Sequence, residues 1–352
     1  KAWLRSQHAT KIRERKKDAR PEDWDRIGTE FHRWLRGDHE RVGLTTRQQY
    51  YDFLMVDFDF FSRQYERIID AAQGAFDPAS PLRFIRYNAD HRFTLQDQLL
   101  LAPLRVTDDQ ATINRKLELV GRFADILLAW RIWNFRATDY STMQYAMFNV
   151  MRDIRGLDVP QLCTALHKQL STITETFDAN DDLYVHQQNR GQLHKILARI
   201  TDHITTASGQ ASNYIELTNG TGVKYEVEHI WADHPERHTD EFSHEAAFAR
   251  HRNRIGDLLV LPKQFNASYN DDPYEKKLPH YFSQNLLAAS LNSLSYEKNP
   301  GFLALTKSSS LPFRAYDEFK AADVVERGNL YRAIAKQVWN PDDLLAVAHG
   351  ET

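Results

Sequence analysis

The sequence predicts a mainly α protein, in which a helical array precedes a small core of two strands and a helix embedded in further helices. Apolar residues recur at steps of three and four over most of the chain up to residue 175, which is typical of helices with a buried face. Two short runs, 225–230 and 255–261, have instead the length and the branched apolar residues of strands. A chain of 352 residues favours two domains, and the predicted boundary divides residues 1–176 from 177–352.

The first half is predicted to be helical almost throughout. Its first long helix begins at a capping box, Thr45 to Gln48, and runs with a buried face to Gly74. Residues 82–88 are predicted as a short strand or an extended connector. Further helices are predicted from about residue 95 and over 109–135, 141–154 and 160–172. This half contains no evident catalytic cluster and no glycine-rich phosphate-binding loop.

The second half combines helices with turn signals. A helix over 192–200 is followed by a turn at 219–222, which introduces the first strand. A surface helix is predicted over 241–252, an apolar helix face over 286–294, a serine-rich loop over 301–313, and a closing helix over 327–339.

Composition excludes several classes of protein. The net charge of −3 means that a nucleic-acid surface has to be a local patch. The single cysteine, Cys163, excludes a disulfide framework and a cysteine-based zinc site. No apolar run approaches the roughly 20 residues of a membrane helix and no signal peptide opens the chain, so we expect a cytoplasmic protein without membrane contact. Because the chain opens without Met inside a charged, helix-like segment, we expect it to be part of a longer one.

The residues that carry chemistry lie at the two predicted strands. Glu228 and His229 end the first strand, and Asn266 lies in the helix after the second. Hydrolysis of a phosphodiester needs a base for water and a cation for the phosphoryl charge. A neutral imidazole suits the base, and carboxylate and amide oxygens suit Mg²⁺. Neighbouring strand residues point to opposite faces, so a bend after His229 is needed to bring both side chains to one site.

This pattern resembles a known family. Glu-His-Ile at 228–230, Ile-Gly-Asp-Leu-Leu-Val-Leu at 255–261, Asn266 and the later Lys277 are similar to the ββα-metal (His-Asn-His, HNH) nuclease domain. The form it resembles is the C-terminal half of GmrSD-type modification-dependent restriction enzymes, which include SspE-like phage-defence proteins. The resemblance covers roughly residues 190 to 340.

The resemblance implies roles for particular residues. His229 would be the general base, and Glu228 and Asn266 would hold Mg²⁺ or Mn²⁺. Asp257 stands where the family has Asn, whose side chain ties down the histidine loop; an Asp oxygen accepts the same hydrogen bond but cannot donate the second. Lys277 would contact a phosphate. The resemblance also implies an N-terminal nucleotide-hydrolysing domain in the same longer chain, with residues 1–176 as a helical connector.

Three further cations lie near this site in the sequence. Lys276, Arg252 and Arg254 are predicted to contact DNA phosphates, although solvated helix faces explain them equally well. The function predicted is a metal-dependent DNA endonuclease, nicking or cleaving, of a phage-restriction system. Two alternatives stay open: a non-catalytic DNA- or protein-binding scaffold that keeps the fold, and an RNase with the same site.

Overall fold

A computed structural model describes residues 1–14, 16–219 and 222–350, and it confirms the mainly α fold. The helices of the first half are α1 Ala2–His8, α2 Asp23–Thr29, α3 Phe31–Asp38, α4 Arg47–Asp52, α5 Phe58–Gln73, α6 Arg83–Asp90, α7 Gln96–Leu101, α8 Gln110–Trp133, α9 Tyr140–Asp153 and α10 Val159–Ser171. Those of the second half are α11 Arg190–Ala207, α12 Tyr214–Asn219, α13 Glu245–Arg252, α14 Lys263–Tyr269, α15 Tyr274–Tyr281, α16 Leu286–Ala289, α17 Ser295–Lys298, α18 Pro300–Ser308, α19 Ala321–Val338 and α20 Asp343–His349. Two strands, β1 Tyr225–His229 and β2 Leu258–Pro262, form the sheet of the described chain.

The described residues group into two compact units. Residues 1–128, 137–174 and 341–350 form the first unit, and residues 129–136 and 175–340 form the second. The division near residue 175 lies close to the expected boundary at 176. The short segments 129–136 and 341–350 each group with the unit on the other side of that boundary, so neither unit is one continuous stretch.

The segment predicted as a strand or connector at 82–88 is instead helix α6. Its buried residues include Phe84, Tyr87 and Asn88, which recur at helical spacing. The Asn88 amide donates to the carbonyl of Gly121 in α8 at 3.0 Å, and a side chain at Gly121 would meet Phe84 at 3.1 Å. The spacing of the apolar residues in this short run is compatible with a strand or a helix, and close packing against α8 favours the helix.

The helix predicted over 45–74 begins one residue later than expected and is only partly buried. Thr46 is the N-cap and accepts from the Gln49 N–H at 3.3 Å. A π-helical turn over 53–57 joins α4 to α5. Phe61 and Ile68 are buried, as predicted, but Leu54 is 56% exposed. Other large apolar residues of the segment are exposed as well, among them Tyr51, Met55 and Phe58.

In the second unit the two strands pair antiparallel and α14 follows at once, which gives the predicted strand–strand–helix order. Glu228 pairs with Leu259 and His229 with Leu258. The second strand is shorter than predicted, because residues 255–257 form a 3₁₀ turn before it. Of the turn predicted at 219–222, residues 220 and 221 lie outside the described residues.

Helix α19 packs directly on the turn that precedes β2. A Cβ atom at Gly256 would lie 1.9 Å from the carbonyl oxygen of Val324, so only glycine fits this contact. Farther along α19, the Tyr331 hydroxyl donates to the carbonyl of Leu258 at 2.8 Å. The closing helix predicted at 327–339 begins earlier, at Ala321, and it packs on the start of β2.

The loop predicted over 301–313 is wrong for its first part, which is helix α18. Asn299 caps this helix by accepting from the Phe302 N–H at 3.2 Å, and Pro300 occupies the first turn, where it loses no hydrogen bond. Phe302 and Leu305 provide the buried face. None of the helices in the described ranges has both the length and the apolar content needed to cross a membrane.

Candidate active site

The orientation of the His229 ring is set by an amide that precedes the second strand. The Nε2 atom of His229 lies 3.0 Å from Oδ1 of Asn253, just after α13. An amide oxygen only accepts, so Nε2 carries the ring proton and Nδ1 keeps the lone pair. The imidazole is thus held in the tautomer whose Nδ1 can accept a proton from water.

Burial and two arginines keep this imidazole neutral. Burial is the main cause that lowers the pKa of His229, and with the charges of Arg252, Arg190 and Lys277 it brings the pKa to about 3, although the Asn253 hydrogen bond opposes the shift. Arg252 is fixed by a hydrogen bond from Nε to the carbonyl of Trp231 at 3.1 Å. Burial disfavours any ion beside the ring, whereas the positive charges of Arg252, Arg190 and Lys277 favour an anion such as a phosphodiester.

Glu228 lies in a buried ion pair. The Lys277 ammonium is 3.3 Å from Glu228 Oε1 and 3.2 Å from the carbonyl oxygen of His229. Burial raises the pKa of Glu228, and the attraction of Lys277 opposes that shift. A carboxylate has about four acceptor positions, so the pair leaves Glu228 able to bind a further cation.

Lys277 therefore differs from its expected role. The sequence predicts a phosphate contact, whereas the Lys277 side chain is 0% exposed and bound to two protein oxygens. A buried ammonium in this position cannot reach DNA without breaking both contacts. The structure makes it a positioning residue that fixes the Glu228 carboxylate and the strand end at His229.

Asp257 supports the loop after the strand, at the place where the resemblance requires Asn. Its side chain is fully buried, and Oδ1 accepts from the Trp231 N–H at 3.1 Å, while its carbonyl accepts from the Ile230 N–H at 2.7 Å. Burial raises the pKa of Asp257 well above its ordinary value, against the opposing charges of Arg252 and Lys277. A protonated carboxyl group has one O–H donor beside its carbonyl acceptor, whereas the amide of Asn has two N–H donors beside its carbonyl acceptor.

Asn266 has a buried oxygen without a partner. Its Oδ1 forms no hydrogen bond within the described chain. A cavity of about 400 Å³ beside it is lined also by Glu226 and Lys263. Glu226 and Glu228 share one face of β1, because side chains two apart in a strand point the same way. The unsatisfied amide oxygen of Asn266 and the Glu226 carboxylate of this cavity are oxygen donors of the kind that a hard cation such as Mg²⁺ prefers, whereas Glu228 does not line the cavity. Among the described residues, no three His, Cys, Asp or Glu side chains are grouped to hold a metal by themselves.

The remaining predicted DNA contacts separate into two kinds. Arg254 is bound to Asp182 at 2.5 Å, and Arg250 is bound to the same carboxylate at 2.8 Å. This ion pair holds residue 254 in the structure rather than presenting it to a ligand. Lys276 is exposed on α15, next to the buried Lys277. Arg252 lies beside His229, so it is the predicted cation best placed for a phosphate.

Two residues of the site were not anticipated from the sequence. Asn253 contacts and orients the His229 ring, although the two residues are 24 positions apart in the sequence. Arg190, at the start of α11, donates to the carbonyl of Val227 at 2.9 Å, two residues before His229 on the same strand. An amide two residues before Ile-Gly-Asp and an arginine at a helix start are common features, and neither spacing in the sequence indicates a contact with β1.

Comparison with known proteins gives one finding and two absences. Residues 173–334 match the family described as GmrSD restriction endonucleases, C-terminal domain. No curated protein and no solved structure matches the chain. The matched range contains both strands, α14, the Glu228–Lys277 pair and His229. Residues 173–334 of this chain are therefore similar to the C-terminal domain of GmrSD restriction endonucleases.

Proposed function

We propose that the second unit is an HNH-like endonuclease that hydrolyses phosphodiester bonds of DNA with His229 as general base. The observation that carries the proposal is the contact from Asn253 to Nε2, which leaves Nδ1 for a water molecule in a positively charged setting. The similarity of residues 173–334 to the C-terminal domain of restriction endonucleases supports the same reaction. We infer that this cleavage serves phage restriction and that a nucleotide-hydrolysing domain elsewhere in the same longer protein controls it.

The reaction follows from the charges around the ring. Nδ1 of His229 takes a proton from water, and the oxygen of that water attacks phosphorus in line with the departing 3′-oxygen. A bound phosphodiester offsets the charges of Arg252 and Arg190, which raises the pKa of His229 and makes it a stronger base than in the free protein. Arg252 stabilises the negative charge that develops on the phosphoryl oxygens.

A divalent cation, Mg²⁺ or Mn²⁺, belongs to this proposal. The unpartnered Oδ1 of Asn266 and the carboxylate of Glu228 would hold it, with Lys277 fixing the carboxylate. When bound, the cation would neutralise charge on the phosphoryl group and the leaving oxygen. One such site cuts one strand, so a double-strand break needs two copies or two visits.

The test is nicking of supercoiled plasmid DNA, with Mg²⁺ and with EDTA. We expect nicking by the wild-type chain in Mg²⁺ only, and a loss of at least about 100-fold in His229→Ala, the usual scale for a general base, with DNA binding retained. His244→Ala is the matched control, because His244 is exposed at the start of α13 and should leave nicking unchanged. Retained cleavage in His229→Ala would refute the assignment of the base.

The plasmid assay, together with a comparison of labelled RNA and labelled DNA, tests the two alternatives. A scaffold that keeps the fold without catalysis would bind DNA and never nick it, with any divalent cation. An RNase would cleave labelled RNA in preference to labelled DNA of the same sequence. The hydrogen bond that the buried Asp257 accepts from the Trp231 N–H supports the loop after His229, which favours the active enzyme over the scaffold.

A further inference from the structure

A groove runs along β1 toward His229. We call it the α11–β1 groove; it has a volume of about 600 Å³, and its lining includes the cations Arg190 and Lys224, the carboxylate of Glu226, and Gly191, His194 and Val227. It lies on the side of the strand where α11 begins. Its floor is the strand that ends at the proposed general base.

Arg190 is held at the end of this groove nearest the catalytic histidine. Its guanidinium is bound to the carbonyl oxygen of Val227, not to a carboxylate, and the residue is exposed. Val227 precedes His229 by two residues, which is about 6.6 Å along a strand. The field of Arg190 reaches the His229 ring. A cation fixed by a neutral carbonyl keeps its charge and further donors for an anion.

The other end of the groove carries a second cation. The Lys224 side chain is 69% exposed and pairs with Glu226 at 3.0 Å. Ion pairs between exposed side chains are weak. Gly191 adds open space, because a Cβ atom there would have no neighbour within 4 Å. The groove is thus open, bordered by two cations, and aligned with the strand that leads to His229.

We propose that the α11–β1 groove binds the sugar–phosphate backbone of the substrate strand and that Arg190 contacts a phosphate neighbouring the one that is hydrolysed. The proposal rests on the proposed function and adds the path of the strand. Arg250 and Arg254 are both paired with the carboxylate of Asp182, whereas Arg190 is bound to a neutral carbonyl. Positioning by Arg190 places the scissile phosphate beside Nδ1 without contact to a base, so it is independent of sequence.

The experiment measures DNA binding without hydrolysis, in the full chain carrying His229→Ala. The affinity for a short duplex is determined over a range of salt concentrations. Each phosphate contact contributes about 0.9 to the slope of log affinity against log salt, so Arg190→Ala should reduce the slope by roughly one unit. Lys307→Ala, an exposed cation in α18, is the matched control and should leave the slope unchanged.

A second variant avoids any loss of the contact to Val227. Gly191→Glu puts a negative side chain into open space, in the first turn of α11, where a carboxylate stabilises the helix. We expect an unchanged fold and at least a tenfold loss of affinity at low salt. In the otherwise wild-type chain, Arg190→Ala should raise KM for plasmid nicking more than it lowers kcat.

The outcomes separate this proposal from the proposed function. An unchanged affinity and salt slope in both Arg190→Ala and Gly191→Glu overturns the groove, whether or not the wild-type chain nicks DNA. A reduced slope together with no nicking by the wild-type chain supports the groove and contradicts the catalytic proposal. Absence of any DNA binding overturns both.

Discussion

Asp257 shows how a carboxyl group can serve where a family uses an amide. The side chain is fully buried, accepts from the Trp231 N–H, and has a pKa that burial raises well above the ordinary value. Its neutral form is planar like an amide and, like an amide, combines a carbonyl acceptor with a donor group, although with one hydrogen instead of two. Asp in place of Asn at residue 257 therefore keeps the hydrogen bond to the Trp231 N–H that supports the loop after His229.

The raised pKa of Asp257 makes stability depend on pH in a definite direction. The unfolded carboxyl loses its proton near pH 3.9, whereas the folded one retains it to a much higher pH. The contribution of Asp257 is fully present below pH 4 and is lost as pH rises toward the folded pKa. Asp257→Asn removes this loss. Between pH 4 and pH 8 the Tm of the variant should rise relative to that of the wild-type protein, by about 2–4 °C for each kcal/mol of unfolding free energy that the wild-type protein loses.

The measurement is thermal unfolding of both proteins across that pH range. The nearby charges named above, Glu228, Lys277 and Arg252, are the same in both proteins, so the difference in Tm isolates residue 257. Asp181→Asn, which changes an exposed carboxyl of the second unit, should show no such trend. A difference in Tm that is constant from pH 4 to pH 8 contradicts a neutral Asp257.

Asn253 permits a test of the tautomer of His229. Removal of its amide in Asn253→Ala frees the ring to rotate and to exchange tautomers, so that Nδ1 is no longer reserved for water. We expect kcat for plasmid nicking to fall by about 10–100-fold, the scale for partners that orient a functional histidine. Affinity for DNA in the absence of hydrolysis should stay the same. A change in affinity with kcat preserved points instead to a DNA contact at Asn253.

At the scale of single residues, the sequence indicates candidate reactive groups, but it does not indicate the residues that contact them. Glu228 and His229 are adjacent and have a recognisable motif. Lys277 is 49 positions from Glu228 and Asn253 is 24 from His229, and only the folded chain brings these atoms within 3.3 Å. From the sequence, Lys277 is expected to be an exposed cation, because lysine is mostly exposed and the sequence does not show whether a single polar residue is buried.

Among the elements, the contact between α19 and the 3₁₀ turn before β2 determines how firmly the site is held. A Cβ atom at Gly256 would meet Val324 and also the Gly328 nitrogen, at 2.6 Å. Gly256→Ala should destabilise the second unit by about 1–3 kcal/mol or more and reduce nicking, because α19 has to move away. Chemical denaturation, followed at Trp231, measures the change.

Gly328→Ala is the matched control on the facing helix. A Cβ atom there lies 3.9 Å from Ile255, an ordinary contact, and alanine favours a helix interior over glycine by about 0.5–1 kcal/mol. We expect unchanged or slightly higher stability. Equal destabilisation by both substitutions would mean that close approach at Gly256 is not the constraint.

The elements that were predicted correctly are those whose pattern is repeated or capped. The strand pair and the long helices combine a clear period with turn or cap residues at their ends. Segment 82–88 was too short for its period to separate strand from helix, and packing on Gly121 decided it. The serine-rich end of helix α18 resembles a loop. The signal that indicates a helix here is Asn-Pro at 299–300, an N-cap residue followed by proline in the first turn.

On the scale of the whole molecule, each unit has its own buried aromatic cluster. In the second unit, Trp133 packs edge-on against Phe177 at 5.1 Å and donates to the carbonyl of Asn180 at 2.9 Å. In the first unit, Trp24 packs edge-on against Phe148 at 5.6 Å. Because Trp133 precedes the expected domain boundary by more than forty residues, its assignment to the second unit is a consequence of packing that the order of the sequence conceals.

This assignment predicts where the chain loosens when either tryptophan is removed. Trp133→Ala should cost about 3–5 kcal/mol and speed amide hydrogen exchange first in α11, β1 and β2, whereas Trp24→Ala should do so first in α2 and α9. Both residues are at most 2% exposed, so the two substitutions delete similar buried volumes. Hydrogen exchange followed by mass spectrometry resolves the two regions. If Trp133→Ala loosens α2 and α9 before the strands, residues 129–136 belong to the core of the first unit, and the strand that carries His229 is stabilised without them.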